Sequence, residues 1–125
     1  MPGAIPHIIA GFTLFIVGKF YYNDYLSEKN EIARNITLFL TCLFFSTIID
    51  FVLIIYYLTK ILPFDTMWPI HYLVHIIFLL FGILFFVINN TIFNLKIKPL
   101  INMAMICIFV HLIMDFFIPE YGIFI

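Results

Sequence analysis

The chain has 125 residues, of which 65% are hydrophobic, 20% are aromatic and only 10% are charged. A soluble domain carries about 25% charged residues, and a water-soluble fold of this length would leave large apolar patches exposed. The net charge of −1, without any basic run, also makes nucleic acid an unexpected partner. The composition therefore predicts a helical membrane protein whose surroundings are membrane lipids.

Four apolar stretches are long enough to cross a hydrocarbon core of about 30 Å. They cover residues 5–22, 36–58, 70–88 and 100–118. Because lipid offers the backbone no hydrogen bonds, each stretch is predicted to be a helix. We therefore expect an all-α fold, an integral membrane four-helix bundle in which residues 1–125 form a single transmembrane domain.

The basic side chains of the loops predict the orientation of these helices. The first loop contains Lys29 and Arg34, and the third contains Lys96 and Lys98. The second loop contains only Lys60. Since basic loops stay on the cytoplasmic side, the first and third loops are expected there, with both termini and the second loop on the non-cytoplasmic side. The predicted location is the cell membrane (inner or plasma membrane), with a multi-pass topology.

Two pairs of polar residues with the same spacing interrupt the last two apolar stretches. His71 and His75 are four residues apart, as are His111 and Asp115. This spacing places both members of a pair on one face of a helix, about 6 Å apart along its axis. Titratable groups inside a hydrocarbon layer are costly, so they are candidates for a functional site by default.

Polar residues of the first two stretches fall at the same predicted depth as these pairs. His7 lies near the start of the first stretch, and Asp50 lies about 12 Å from the end of the second. All of these groups therefore fall in the non-cytoplasmic half, whereas the cytoplasmic half offers Thr41, Cys42, Asn102 and little else. A conducting pore needs polar groups at every depth, so this distribution predicts a site open to one side rather than a channel.

Asp50 and Asp115 have no basic side chain in their predicted layer, unless Lys60 reaches back. An ionised carboxylate left unpaired there would cost several kcal/mol, so each acid is expected to be protonated, to pair with a histidinium or to bind a cation. Imidazoles beside carboxylates form a donor set for a divalent metal, with zinc favoured over iron or manganese. The predicted metal ligands are His7, Asp50, His75, His111 and Asp115.

Further catalytic roles are predicted around this metal site. A metal-dependent hydrolase activates water at the metal and needs a group to accept the proton. Asp50 or Glu120 is the candidate for that role. His71 is expected to orient a metal ligand or the substrate.

Each of these residues also has a purely structural interpretation. His111 and Asp115 could form a hydrogen bond along one helix, and Asp50, which follows Ser46 and Thr47, could be a protonated residue at a helix contact. The alternatives to an enzyme are therefore a non-enzymatic protein that handles ions or metals and a structural membrane protein, with an oligomer formed through small residues.

The order of these residues resembles that of the YdjM-like family of predicted membrane-bound, metal-dependent hydrolases. The early H-x-x-x-G element of that family corresponds to His7 and Gly11, and its late H-x-x-x-D element corresponds to His111 and Asp115. Asp50 stands where the family has a D-x-D element, and His75 stands where it has the second histidine of an H-R-x-x-x-H-S element. The late element is followed by Pro119 and Gly122, as a P-x-G turn follows it in the family.

The chain departs from the family pattern at several of these elements. Val52 replaces the second acid of the D-x-D element. His71 and His75 are four rather than five residues apart, and the arginine is missing. The resemblance implies a metal-dependent hydrolase that acts on a membrane-proximal substrate, a lipid or a phosphoester.

Overall fold

The computed structural model describes residues 4–26, 30–61, 63–92 and 97–117. Within these residues the chain is helical and has no strand. Six α-helices follow one another: α1 (Ala4–Tyr21), α2 (Asn23–Leu26), α3 (Glu31–Thr47), α4 (Phe51–Thr59), α5 (Phe64–Thr91) and α6 (Lys98–Phe117). The all-α prediction is confirmed over these residues, whereas Glu120 lies outside them.

Three helical segments are long and apolar enough to cross a membrane: Glu31–Tyr56, Asp65–Thr91 and Lys98–Phe117. The apolar helix Ile5–Tyr21 is shorter. Large apolar side chains, among them Phe20 and Phe116, are exposed on the helix surfaces, where lipid would solvate them better than water. The helices therefore agree with a membrane protein, and the side on which the termini lie stays a prediction.

The predicted second span is interrupted inside the bundle. A 3₁₀ turn, Ile48–Asp50, separates α3 from α4. The hydroxyl of Ser46 donates to the carbonyl oxygen of Cys42, and the hydroxyl of Thr47 donates to that of Leu43 at 2.9 Å. Such hydroxyl-to-backbone bonds bend helices, and a 3₁₀ segment within a helix often marks a functional position. The turn ends at Asp50, one of the predicted site residues.

The third predicted span is longer than expected, because α5 begins at Phe64 and continues through Pro69. The predicted third stretch begins at residue 70, directly after this proline. The proline is tolerated inside the helix because it lies in the second turn, where its missing N–H removes one backbone hydrogen bond near the end of the helix. The extension places His71 well inside α5 rather than at its first residues.

Helix α6 lies at the centre of the bundle and contacts α1, α3 and α5. One buried cluster joins α6 to α2 and α3 through Leu26, Leu38, Cys42, Met103 and Cys107. A second cluster joins α6 to the 3₁₀ turn through Ile49, Ala104, Met105 and Ile108. These two apolar clusters occupy the bundle before α6 reaches its polar pair, so they support the helices on which the polar residues stand.

Helix α1 packs closely against α3 at Gly11. A methyl group built on Gly11 would lie 2.7 Å from the hydroxyl oxygen of Ser46 and 3.1 Å from the carbonyl oxygen of Cys42. Glycine therefore allows a close approach that any larger residue would prevent. His7 lies one turn before Gly11 on the same face of α1, so this contact also determines how far the His7 ring reaches into the bundle.

We expect Gly11→Ala to destabilise the bundle by about 1–3 kcal/mol, because part of the contact is backbone that cannot move aside alone. The matched control is Gly82→Ala, whose added methyl group would meet only ordinary contacts, the nearest being the Met105 sulfur at 3.7 Å. Unfolding of both variants in the same detergent measures the difference. Equal stability of the two variants would contradict the close packing of α1 on α3.

Candidate metal centre

Six titratable side chains meet in one place in the bundle. They are His7 from α1, Asp50 from the 3₁₀ turn, His71 and His75 from α5, and His111 and Asp115 from α6. All four imidazoles are buried, and those of His7 and His71 have no exposed surface. The groups that the sequence placed at one depth thus belong to one cluster.

The carboxylate of Asp115 lies closer to the imidazole nitrogens than the carboxylate of Asp50 does. Its Oδ1 lies 3.1 Å from His7 Nε2, and its Oδ2 lies 3.0 Å from His111 Nε2. The Nε2 atom of His75 also contacts Oδ2. The carboxylate is therefore held between imidazoles from α1, α5 and its own helix.

Asp50 faces the same rings at longer distances. Its Oδ2 lies 3.5 Å from His7 Nε2, and its Oδ1 lies 3.6 Å from His111 Nε2 and 3.9 Å from His71 Nε2. These separations are too long for direct hydrogen bonds. Asp50 therefore shares neighbours with Asp115 without being tightly bound to them.

Backbone carbonyls fix the orientation of two imidazoles. His111 Nδ1 lies 2.7 Å from the carbonyl oxygen of Ser46, and His75 Nδ1 lies 2.9 Å from that of His71. A carbonyl oxygen can only accept, so Nδ1 carries the hydrogen and donates it. In the neutral ring the lone pair is then on Nε2, which faces the carboxylates. Metal-binding histidines usually show this arrangement, with the second nitrogen donating to a carbonyl or carboxylate.

Several buried atoms at the centre have no hydrogen bond to any described residue: His7 Nε2, Asp50 Oδ1, His111 Nε2 and Asp115 Oδ1. Some of their contacts are short, but none is directed as a hydrogen bond. Burying such groups without compensation is costly. A cation between the imidazole nitrogens and the carboxylate oxygens would satisfy both, and so would protons on the imidazoles.

The spacing of the donor atoms fits a metal ion. Two atoms bound at 2.0–2.1 Å to a tetrahedral zinc are about 3.3 Å apart, which lies within the range of 3.0–3.9 Å between Nε2 and carboxylate oxygens in all pairs but the closer one of His75 with Asp115. Two sets of four residues bring their donor atoms within 4.8 Å of one another. These are His7, Asp50, His111 and Asp115, and Asp50, His71, His75 and Asp115.

The cluster includes contributions that the sequence did not indicate. The carbonyl of Ser46 orients His111. The only sequence signal for this contact is the pair Ser46 and Thr47, whose hydroxyls bend the helix there. The backbone carbonyl of His71 accepts from His75 and so orients that ring. The His71 side chain also lies among the candidate metal donors, and its predicted role of orienting a ligand or the substrate stays a prediction. The predicted ligands His7, Asp50, His75, His111 and Asp115 all lie in one or both donor sets.

A groove between α5 and α6 reaches this centre from the surface of the bundle. It has a volume of about 410 Å³. Its walls are Tyr72, Ile76, Leu79, Leu112 and Phe116, and it also exposes His75 and Asp115. The groove thus joins an apolar surface to two of the candidate metal donors.

No family model, curated protein or solved structure matches the chain. The resemblance to the YdjM-like family therefore stays a prediction from the motifs. The function has to be inferred from the geometry of the centre.

We expect purified protein to bind a divalent metal, and the double variant His111→Ala with Asp115→Ala to lose it, because these residues contribute two donors to the first set. The matched control replaces the polar pair Asn89 and Asn102 by alanine. These residues also join α5 to α6, with Asn89 Nδ2 donating to Asn102 Oδ1 at 3.0 Å. Elemental analysis after purification measures the metal, and equal amounts in all three proteins would contradict the proposed ligands.

Proposed function

We propose that this chain is an integral membrane metal-dependent hydrolase with its His/Asp centre in the non-cytoplasmic half of the bundle. The observation that carries the proposal is the convergence of imidazole Nε2 atoms on Asp50 and Asp115, with the Nδ1 atoms of His75 and His111 held by carbonyls. The order of motifs that resembles the YdjM-like family supports the same activity.

The two carboxylates are suited to different tasks. The Asp115 side chain is 5% exposed and contacts three imidazoles, so it serves as the central anchor of the cluster. The Asp50 side chain is 14% exposed and stands 3.5 Å or more from its neighbours. Asp50 is therefore the better candidate for accepting a proton from the attacking water.

A bound divalent metal would supply an activated water and polarise the bond to be broken. Zinc is the first choice for the mixed nitrogen and oxygen donors, with iron or manganese as alternatives. The protein's own contribution is to hold the donors, fix the rings of His75 and His111 through carbonyl oxygens, and keep bulk water from the apolar sides of the centre.

The groove between α5 and α6 favours a substrate with an apolar chain and a polar group to be hydrolysed. Its walls are largely apolar, and His75 and Asp115 lie in the same groove. Since it opens on an apolar helix surface, a membrane lipid could reach the centre without leaving the bilayer. A lipid-derived ester or phosphoester is therefore the proposed substrate class.

The opposite part of the bundle argues against the alternative of an ion carrier. There the described residues Leu26, Leu38, Met103 and the two buried cysteines form a tightly packed apolar cluster. An ion needs polar groups along its path, which this cluster does not offer; the amides of Asn89 and Asn102 in the same part of the bundle are bonded to each other. A site approached from one side fits an enzyme better than a transport path.

The hydrolase proposal predicts that metal-loaded protein in nanodiscs cleaves at least one member of a panel of lipid and p-nitrophenyl esters and phosphoesters. Asp50→Asn should lower kcat about 10²–10⁴-fold, because it removes the proton acceptor. Asp65→Asn makes the same chemical change at an exposed acid and should keep the activity. Absence of hydrolysis throughout the panel, or equal rates for wild type and Asp50→Asn, would contradict the proposal.

A bulky side chain that fills the groove should impair the hydrolysis of long-chain substrates more than that of short ones. Leu79→Trp places a bulky ring in the groove wall, so KM for a long-chain substrate should rise at least several-fold, while hydrolysis of a short soluble ester changes less. Leu80→Trp is the control, because Leu80 is the next residue and is exposed on the helix surface. The same effect from both variants, or none from Leu79→Trp, would argue against lipid access through this groove.

A further inference from the structure

We propose that the centre holds two divalent ions rather than one, and that the Asp115 carboxylate bridges them. His7 and His111 would bind one ion, His71 and His75 would bind the other, and Asp115 would be shared, while Asp50 stands at longer distances and keeps its role as proton acceptor. This inference rests on the proposed function, because it assumes that the cluster binds metal. It adds the number of ions, the role of His71 and the charge of the substrate.

The grouping of donor atoms argues against a single ion. In a six-coordinate site with bonds of about 2.1 Å, opposite donors lie about 4.2 Å apart, so all six atoms would fall within 4.8 Å of one another. Instead, the atoms meet this limit as two sets of four. One four-coordinate ion would leave two of the buried histidines without a role.

The two sets have only the carboxylates in common. The imidazole rings are also grouped in this way. The ring centres of His7 and His111 are 4.0 Å apart, and those of His71 and His75 are 4.2 Å apart. The ring centres of His75 and His111, one from each pair, are 5.6 Å apart. The histidines thus form two pairs of close rings that share the acids.

Each carboxylate has one oxygen near His7 of the first pair and the other oxygen near a histidine of the second pair. Oδ1 of Asp115 faces His7, and its Oδ2 contacts His75. Oδ2 of Asp50 faces His7, and its Oδ1 faces His71. His111 lies near the second oxygen in both cases, at 3.0 Å from Asp115 and 3.6 Å from Asp50. In Asp115, His7 and His75 therefore approach different oxygens, as expected of a carboxylate that serves two ions.

The charge of such a centre specifies the substrate further. The described ion-pair partners of Asp50 and Asp115 are all histidines. Two divalent ions with two carboxylates and neutral imidazoles leave two positive charges in a largely buried place. An anionic ligand would compensate them, and a neutral ester would not. Among the candidates from the proposed function, an anionic phosphoester on an apolar chain is therefore favoured.

Metal counting and electron paramagnetic resonance of the full chain in detergent test the inference. Protein loaded with Mn²⁺ should bind two ions per chain and show the spectrum of a magnetically coupled pair. His71→Ala and His71→Gln should each reduce the content from two ions to one and abolish the coupling. Asn90→Ala, an exposed substitution on the same helix, should retain two coupled ions.

The outcomes separate this inference from the hydrolase proposal. One ion per wild-type chain together with metal-dependent hydrolysis would overturn the two-ion centre and leave the hydrolase standing. Two uncoupled ions would overturn the bridging role of the Asp115 carboxylate. No bound metal would overturn both. If the His71 variants fail to fold, the spectrum of the wild-type protein still shows whether two coupled ions are bound.

Discussion

The carboxylates of Asp50 and Asp115 lie among imidazoles inside an apolar helical bundle, and the rest of the structure depends on how their charge is compensated. Every ion-pair partner described for them is a histidine. The Nδ1 atoms of His75 and His111 donate to carbonyls, so in the neutral state these rings turn lone pairs towards the acids. Facing acceptors repel each other, and only a cation or additional protons can hold them together.

The bundle is organised around this requirement. Gly11 brings α1 close enough to α3 for His7 to reach the acids, and the 3₁₀ turn delivers Asp50 from the middle of a hydrophobic segment. Helix α6 carries the apolar clusters along most of its length and the polar pair near its end. The fold therefore separates a packed apolar part, which provides stability, from a polar part, which provides the chemistry.

The sequence predicted the helices and the membership of the centre, because both follow from local patterns. Long apolar stretches indicate helices, and the spacing of His71 with His75 and of His111 with Asp115 places each pair on one face. The break before Asp50 was not predicted, because it depends on hydroxyl-to-backbone bonds that compete with a strongly apolar helix pattern. The place of His71 in one of the two donor sets was not specified either, since spacing along one helix does not reveal how neighbouring helices are rotated.

X-ray absorption spectroscopy of zinc-loaded wild-type protein tests the central claim most directly, because it reports the atoms bound to the metal. The account predicts nitrogen and oxygen ligands at about 2.0–2.1 Å, with the scattering pattern of several imidazoles. Sulfur at about 2.3 Å would instead indicate cysteine thiolates, and a first shell without imidazole would indicate metal bound outside the bundle. Either result would contradict a metal centre built from the buried histidines and aspartates.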